Sequence, residues 1–273
     1  MKKTALTAAL LVFASALLLS SCDAMFNTNL FKAAGLGQVD ITKASTPAEI
    51  AAAATSPQFF TDLKSDATTK DNMLTTLVPG YSSGTVPTAI DLQAALTSGT
   101  ATADNLVLAS AIMINTTEAG TIVKNIAQEL PSIASTTTTL DVSAVIKAIL
   151  PADVLSDPVA FSNAITALSD ASSSLTAVAN YVGASGTLPS VPGGTSQDTA
   201  YYGLVALAVS SVTPTTTSGY ASTADALYAI VNGNAPASVL NPPDAAVFDM
   251  NSSTSTASIL LSAAGIDLAA LAQ

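Results

Sequence analysis

The stretch DPVAFSNAITALSDASSSLTAVANYV, residues 157–182, decides the fold. Asp157 followed by Pro158 reads as a helix start. The carboxylate can cap free backbone N–H groups, and proline at the first helical position has no N–H to lose. Behind it Phe161, Ile165, Leu168, Ser172, Leu175, Ala179 and Val182 fall alternately four and three residues apart. That spacing lays one mostly apolar stripe along a helix of about 25 residues. Such a stripe needs partners on both sides, so the rest of the chain should supply helices to cover it.

The same signals recur. Thr46-Pro47-Ala48-Glu49 is a capping box with proline at the first helical position. Ser56-Pro57 repeats the cap-then-proline pattern. Thr102-Ala103-Asp104 and Thr223-Ala224-Asp225 each set a hydroxyl ahead of a first-turn acid, where the helix dipole favours it. Val123, Ile126 and Leu130 mark a shorter helix before Pro131. Val142, Val145, Ile146 and Ile149 mark another, ending at Pro151. Residues 105–114 and 200–209 are apolar nearly all round, the pattern of helices sandwiched between others. Loops fall at Pro79 to Gly84, Thr136 to Thr139, Gly183 to Thr195, Thr213 to Gly219 and Asn232 to Pro236. Thr, Val and Ser abound, which would suit strands. Yet the apolar spacing is three and four rather than two, and hairpin dipeptides are scarce.

The expectation is therefore an all-α domain over residues 41–273, a multi-helix bundle or an irregular array of helical hairpins. Its candidate internal boundary is the Gly/Pro stretch at 183–195. A faint repeat pairs Thr102–Leu106 with Thr223–Leu227, and Asp91–Leu96 with Asp267–Leu271. The spacings share no short period, and capped Ala/Leu helices look alike without being repeats.

The amino-terminal end reads differently. Lys2 and Lys3 precede an apolar run from Ala5 to Leu19, and Leu19-Ser20-Ser21-Cys22 closes it with the only cysteine in 273 residues. The run is long enough for a secretory leader and shorter than the roughly 20 residues that span a bilayer. This arrangement resembles the signal sequence and lipobox of bacterial lipoproteins. The resemblance implies a signal peptide over residues 1–21, cleavage before Cys22, and lipid on Cys22. It further implies a tether over residues 22–40. Several acyl chains on one cysteine anchor firmly where one chain holds only marginally. Asp23, at the position after the lipidated cysteine, is the residue that in some double-membrane bacteria retains a lipoprotein at the inner membrane. An ordinary polar residue is the competing reading, so inner and outer membrane both stay open. With its capped helices the chain is also similar in architecture to helical-repeat lipoproteins, which serve as partner-binding modules, some of them beside periplasmic solute transporters.

Composition narrows the partners. The chain has eight lysines, no arginine and 19 acids; past residue 21 the balance is six against 19, a net charge of −13. Such a chain is repelled by nucleic-acid phosphates, and without arginine it has no bidentate phosphate clamp. Nucleic acid is excluded as a partner. Apolar residues make up 49% and charged residues 10%, well below the usual quarter, so Ser, Thr, Asn and Gln must build the surface.

Catalytic chemistry is thin. The sequence contains no histidine, which removes Ser-His-Asp and Cys-His catalysis and histidine-ligated zinc. No phosphate-binding glycine loop is present. Thr61-Asp62-Leu63-Lys64 and Thr121-Ile122-Val123-Lys124 approach a Ser-x-x-Lys nucleophile pair but carry Thr, and ordinary solvated side chains explain both. Two carboxylates about 5–10 Å apart can cleave a glycoside without histidine. Asp104, Glu118 and Glu129 are the candidates, though the first two sit where helix starts favour acids. Asp62, Asp66 and Asp71 form a local acid cluster. Lys64 and Lys70 interleave it and no glycine turn follows, so it reads as a solvated helix face rather than a calcium loop. The scattered aromatics, Phe59-Phe60, Tyr201-Tyr202, Tyr220, Tyr228 and Phe248, read as core. No catalytic residue, metal site or cofactor is expected. The expected function is a non-enzymatic envelope lipoprotein, a scaffold or partner-binding module. The alternative is a carrier of a small apolar ligand or lipid held between helices. Its place would be the cell envelope, lipid-anchored and facing an extracytoplasmic compartment.

Overall fold

The computed structural model describes residues 41–125 and 151–266, apart from 57, 83, 184–185, 242, 244–245 and 250–251. Helices carry almost all of its regular structure. In chain order they are α1 (Pro47–Ala53), α2 (Phe59–Lys64), α3 (Ala67–Leu77), α4 (Ala89–Ser98), α5 (Ala103–Asn115) and α6 (Ala119–Asn125). Then come α7 (Ala152–Ser156), α8 (Pro158–Val182), α9 (Ser196–Ser210), α10 (Thr223–Val231) and α11 (Thr256–Ala263). A two-residue antiparallel pair, β1 (Thr213–Pro214) with β2 (Leu240–Asn241), is the sheet among these residues.

α8 is the organiser. Asp157 accepts from the N–H groups of Val159 and Ala160, at 2.8 and 3.2 Å, and Pro158 opens the helix. The expected stripe is buried from Phe161 to Ala179, and Val182 is half-buried. Burial also reaches Ala164, Ala167, Ala171, Ser174 and Ala177. These small side chains let neighbours approach on more than one face, so the covered surface is wider than a single stripe. α8 packs chiefly on α5, α9 and α4, and also on α10, α11 and α7. Phe161 meets Tyr228 of α10 edge to face at 5.3 Å, a favoured aromatic geometry.

The two helices read as apolar all round lie against α8. α5 buries every residue from Leu106 to Ile114. α9 buries Ala200, Tyr201 and Gly203–Leu207. In the loop between α8 and α9, Leu188 is buried and its N–H donates to Ala263 O of α11 at 3.1 Å. The hydrophobic side chains of α1 to α11 join one core that this loop also enters.

Ser and Thr are built into helices by donating to the preceding turn. Thr75, Thr97, Ser110 and Thr116 each bond the carbonyl four residues back. That local bond lets Ser110 sit fully buried without an orphaned hydroxyl.

The helix starts follow the sequence in part. The Thr46–Glu49 box forms in both directions, and Thr102 caps α5 through the Asn105 N–H. Two starts shift. α2 begins at Phe59 with Gln58 before it and no side-chain cap, rather than at Ser56-Pro57. α10 is capped by Ser222, one residue before the expected Thr223, whose hydroxyl instead donates to Val212 O at 2.9 Å. The Thr102 and Thr223 segments are therefore one residue out of register, as look-alike helices would be. The helix expected at 142–149 and the loop at 136–139 lie outside the described residues, as do Ile126, Leu130 and Asp267–Leu271.

Candidate functional site

The polar chemistry concentrates where α5 runs out of apolar sequence. After Ile114 the chain reads Asn115-Thr116-Thr117-Glu118, and α6 leaves at 93° to α5. The Thr116 and Thr117 hydroxyls donate to Ile112 O (2.7 Å) and Ile114 O (3.1 Å), satisfying carbonyls that a helix end leaves open. Gly120 makes the turn tight. A Cβ there would lie 2.8 Å from Asn115 Oδ1 and 3.2 Å from Asn115 Cα, closer than side chains tolerate.

Asn115 is held from two directions. Its Nδ2 donates to Ala111 O at 2.9 Å, and its Oδ1 accepts the Tyr202 hydroxyl at 3.1 Å. Burial raises the Tyr202 phenol, and the nearby charge of Asp198 adds to the effect. Asp198 closes the capping box of α9: its Oδ2 accepts from the Thr195 N–H (2.5 Å) and hydroxyl (2.9 Å). Its Oδ1 is buried with no hydrogen-bond partner. Burial pushes this carboxyl up, against the pull of the Thr195 bonds.

Outside this corner lies an open cleft of about 360 Å³ between α2 and α6. Lys64 of α2 donates to Glu118, forming an ion pair across it. Phe60, Thr61, Thr121 and Lys124 supply further wall. The two Thr-x-x-Lys segments, unrelated in the sequence, thus share one cleft.

A second polar cluster sits between α3 and α8. The Tyr81 hydroxyl donates to Asp71 Oδ1 at 2.7 Å. Burial first, then the bond to Asp71 and its charge, raises this phenol, and Asp170 of α8 adds to the rise. The phenol therefore stays protonated and pins α3 to the segment after it. Asp170 is half-buried, and the lost solvation pushes its carboxyl up to about 6. Sequence reasoning passed over Asp170, although it is the only charged side chain in residues 158–182.

The remaining candidates separate. Asp104 stands in the first turn of α5, about 17 Å of helix before Asn115, too far from Glu118 for a glycosidase pair. Glu129 lies outside the described residues, as do Cys22 and Asp23. Asp62 sits in the first turn of α2, Asp66 caps α3 through the Thr69 N–H, and Asp71 holds Tyr81, so the three acids do separate work. Among the described residues no group of three or more acids or other metal-binding side chains converges. Of the scattered aromatics read as core, Phe59, Tyr201 and Phe248 are buried, while Phe60, Tyr202, Tyr220 and Tyr228 are half-buried. Among the same residues no single helix is long and apolar enough to cross a membrane.

Comparison of the chain with protein-family models, with curated proteins and with solved structures returns no match.

Proposed function

We propose that the protein is a lipid-anchored, non-enzymatic module of the bacterial envelope that binds a partner through its helical surface. The observation that carries this reading is the single cysteine, set at the end of Leu19-Ser20-Ser21-Cys22 behind a lysine-led apolar run. Residues 22–40 would separate the anchor from the helices. Tethering would confine the domain near the membrane and raise its effective concentration there. The membrane, inner or outer, would be set in part by Asp23.

What supports a binding role over catalysis is that the polar chemistry of the described domain is spent on structure. Most of its apolar side chains are turned into one core, with Ile90, Val159 and Tyr181 left exposed. Many of its carboxylates are occupied in structure: Glu49, Asp66, Asp157 and Asp198 accept from backbone N–H groups at helix starts, and Asp91 and Asp225 accept from cap hydroxyls. A carboxylate fixed at a helix start serves that helix first.

The test is capture from membranes with the full-length chain, in parallel with Cys22→Ala. The expected result is that the native chain fractionates with membranes and brings down a defined partner, while Cys22→Ala is released and loses it. Membrane retention of Cys22→Ala would contradict the anchor, and the same partner held equally by both would contradict the role of tethering.

A further inference from the structure

Residues 186–195, which lead into α9, are tied to α9 and α11 at several points. Val191 to Gly194 make a tight turn. The Gly194 N–H donates to Val191 O at 2.9 Å, Pro192 sets the first corner, and Gly193 takes the positive φ of 71° that the second corner requires. The Thr199 hydroxyl of α9 donates to Pro189 O at 2.6 Å, and the Leu188 N–H donates to Ala263 O of α11 at 3.1 Å. Leu188 and Val191 are buried. The segment is thus a strap along the start of α9, and its last tie is Asp198, whose Oδ2 takes both the N–H and the hydroxyl of Thr195. That tie has a flaw. Asp198 is only 3% exposed, and its Oδ1 has no hydrogen-bond partner. Gly194 is pressed against the carboxyl: a Cβ there would lie 2.7 Å from Asp198 Oδ2 and 2.7 Å from Val191 Cγ2.

We propose that residues 186–195 are a pH-sensitive strap, closed on α9 while Asp198 is neutral and loosened when Asp198 is charged. A neutral carboxyl leaves one polar oxygen unmet. A carboxylate in the same place leaves a charge without solvent, which costs far more. Moving the strap admits water to Oδ1, so the open form favours the charged state. No cation on the neighbouring elements offsets that charge, because the strap, α8, α9 and α11 contain no lysine or arginine. The other titratable groups on these elements are Asp170 and Tyr181 of α8 and Tyr201 and Tyr202 of α9; the strap and α11 add none. Tyr202, one turn on from Asp198, is the group that feels its charge, and the neutral Asn115 of α5 holds that phenol. Burial pushes the Asp198 carboxyl above its ordinary range, against the pull of the Thr195 bonds. The closed strap therefore binds the Asp198 proton more tightly than the open one. Closure is complete below the ordinary carboxylate range and weakens as pH rises through the raised value. Opening draws Leu188 and Val191 out of the core and frees the Ala263 carbonyl of α11.

The experiment is amide hydrogen exchange on the full-length chain between about pH 4 and pH 8, normalised to the intrinsic rate at each pH, with the Asp198 carboxyl carbon followed by NMR. The Leu188 and Thr195 amides are expected to lose protection several-fold as pH rises, with the midpoint at which the Asp198 carbon titrates. The Leu168 amide, at the centre of α8, reports global unfolding and should not follow that midpoint. Asp198→Asn keeps an acceptor for Thr195 without the charge, and should abolish the pH dependence at Leu188 and Thr195. Thr199→Val removes the bond to Pro189 and should lower Leu188 protection at every pH while keeping the slope, which separates a loosened strap from a titrating one. Protection that is constant with pH would overturn the proposal. So would a midpoint different from that of the Asp198 carbon, which the native chain alone decides, or an unchanged slope in Asp198→Asn. None of these readouts involves the membrane anchor or a partner, so failure here and failure of the partner-binding reading are separable.

Discussion

α5 meets the rest of the protein in two ways, sealed along its middle and open at its end. From Leu106 to Ile114 every side chain is buried between α8, α3 and their neighbours. From Asn115 to Glu118 the side chains are polar, the chain turns through 93°, and the surface opens into the α2–α6 cleft, before Ala119, Ile122 and Val123 of α6 return to the core. The middle is non-directional: shape and apolar area hold it. The end is directional, because each polar atom that leaves water needs a named partner. Asn115 finds two, Thr116 and Thr117 cap carbonyls, and Glu118 meets Lys64. Substitutions should therefore cost most in the middle, and cost less but act through named partners at the end.

The sharpest contrast comes from Ile112→Ala. Ile112 is fully buried in the sealed part, and the change removes apolar contact and leaves a cavity. A loss of about 2–5 kcal/mol in urea unfolding is expected; a loss under about 1 kcal/mol would mean the seam is not close-packed. At the corner, Gly120→Ala drives a methyl into Asn115 and should cost about 1–3 kcal/mol. The Tyr202–Asn115 bond should be lost with it, which a change in tyrosine fluorescence would follow.

Asp170, half-buried on α8, adds a position that pH can test. Its carboxyl is held near 6, above its value in an unfolded chain. The folded state thus binds the proton more tightly. The resulting stability is complete below about pH 4 and is lost as pH rises through about 6. Asp170→Asn should remove that slope and raise stability at pH 7 by about 1–2 kcal/mol, a figure reduced for the solvent that reaches this group. Thermal melts across pH 4–8 would show it, and an unchanged slope would place Asp170 in water. Asp157→Ala, which uncaps α8, should cost about 1 kcal/mol in chemical denaturation. Lys64→Gln, breaking the exposed pair with Glu118, should move stability by no more than about 0.5 kcal/mol. A larger loss there would mean that the cleft's ion pair supports the corner as well as lining it.

The all-α fold could be read from the chain because its signals are local. Asp157-Pro158, Thr46 to Glu49 and Thr102 each mark a start within four residues, and the three-four spacing of the α8 stripe needs no tertiary information. The misplaced starts show where locality ends. Ser222 and Thr223 both offer a hydroxyl, and tertiary contact with Val212 O decides which one is free to cap α10. α2 starts without a capping side chain, so no residue announces it. The cleft was illegible for the same reason. Thr61 with Lys64 and Thr121 with Lys124 look like ordinary solvated turns until packing of α2 against the end of α5 brings them together. Asp170 did leave a trace, a lone charge in a long uncharged helix, which signals a carboxylate whose neighbours must be apolar or few.

The proposed attachment of this bundle of helices to a membrane runs through lipid on its amino terminus. Mass spectrometry of the amino-terminal peptide from the membrane-derived protein tests it most directly. The prediction is a chain that begins at Cys22 and carries acyl chains on that residue. A free Cys22 thiol, or residues 1–21 still attached, would contradict it.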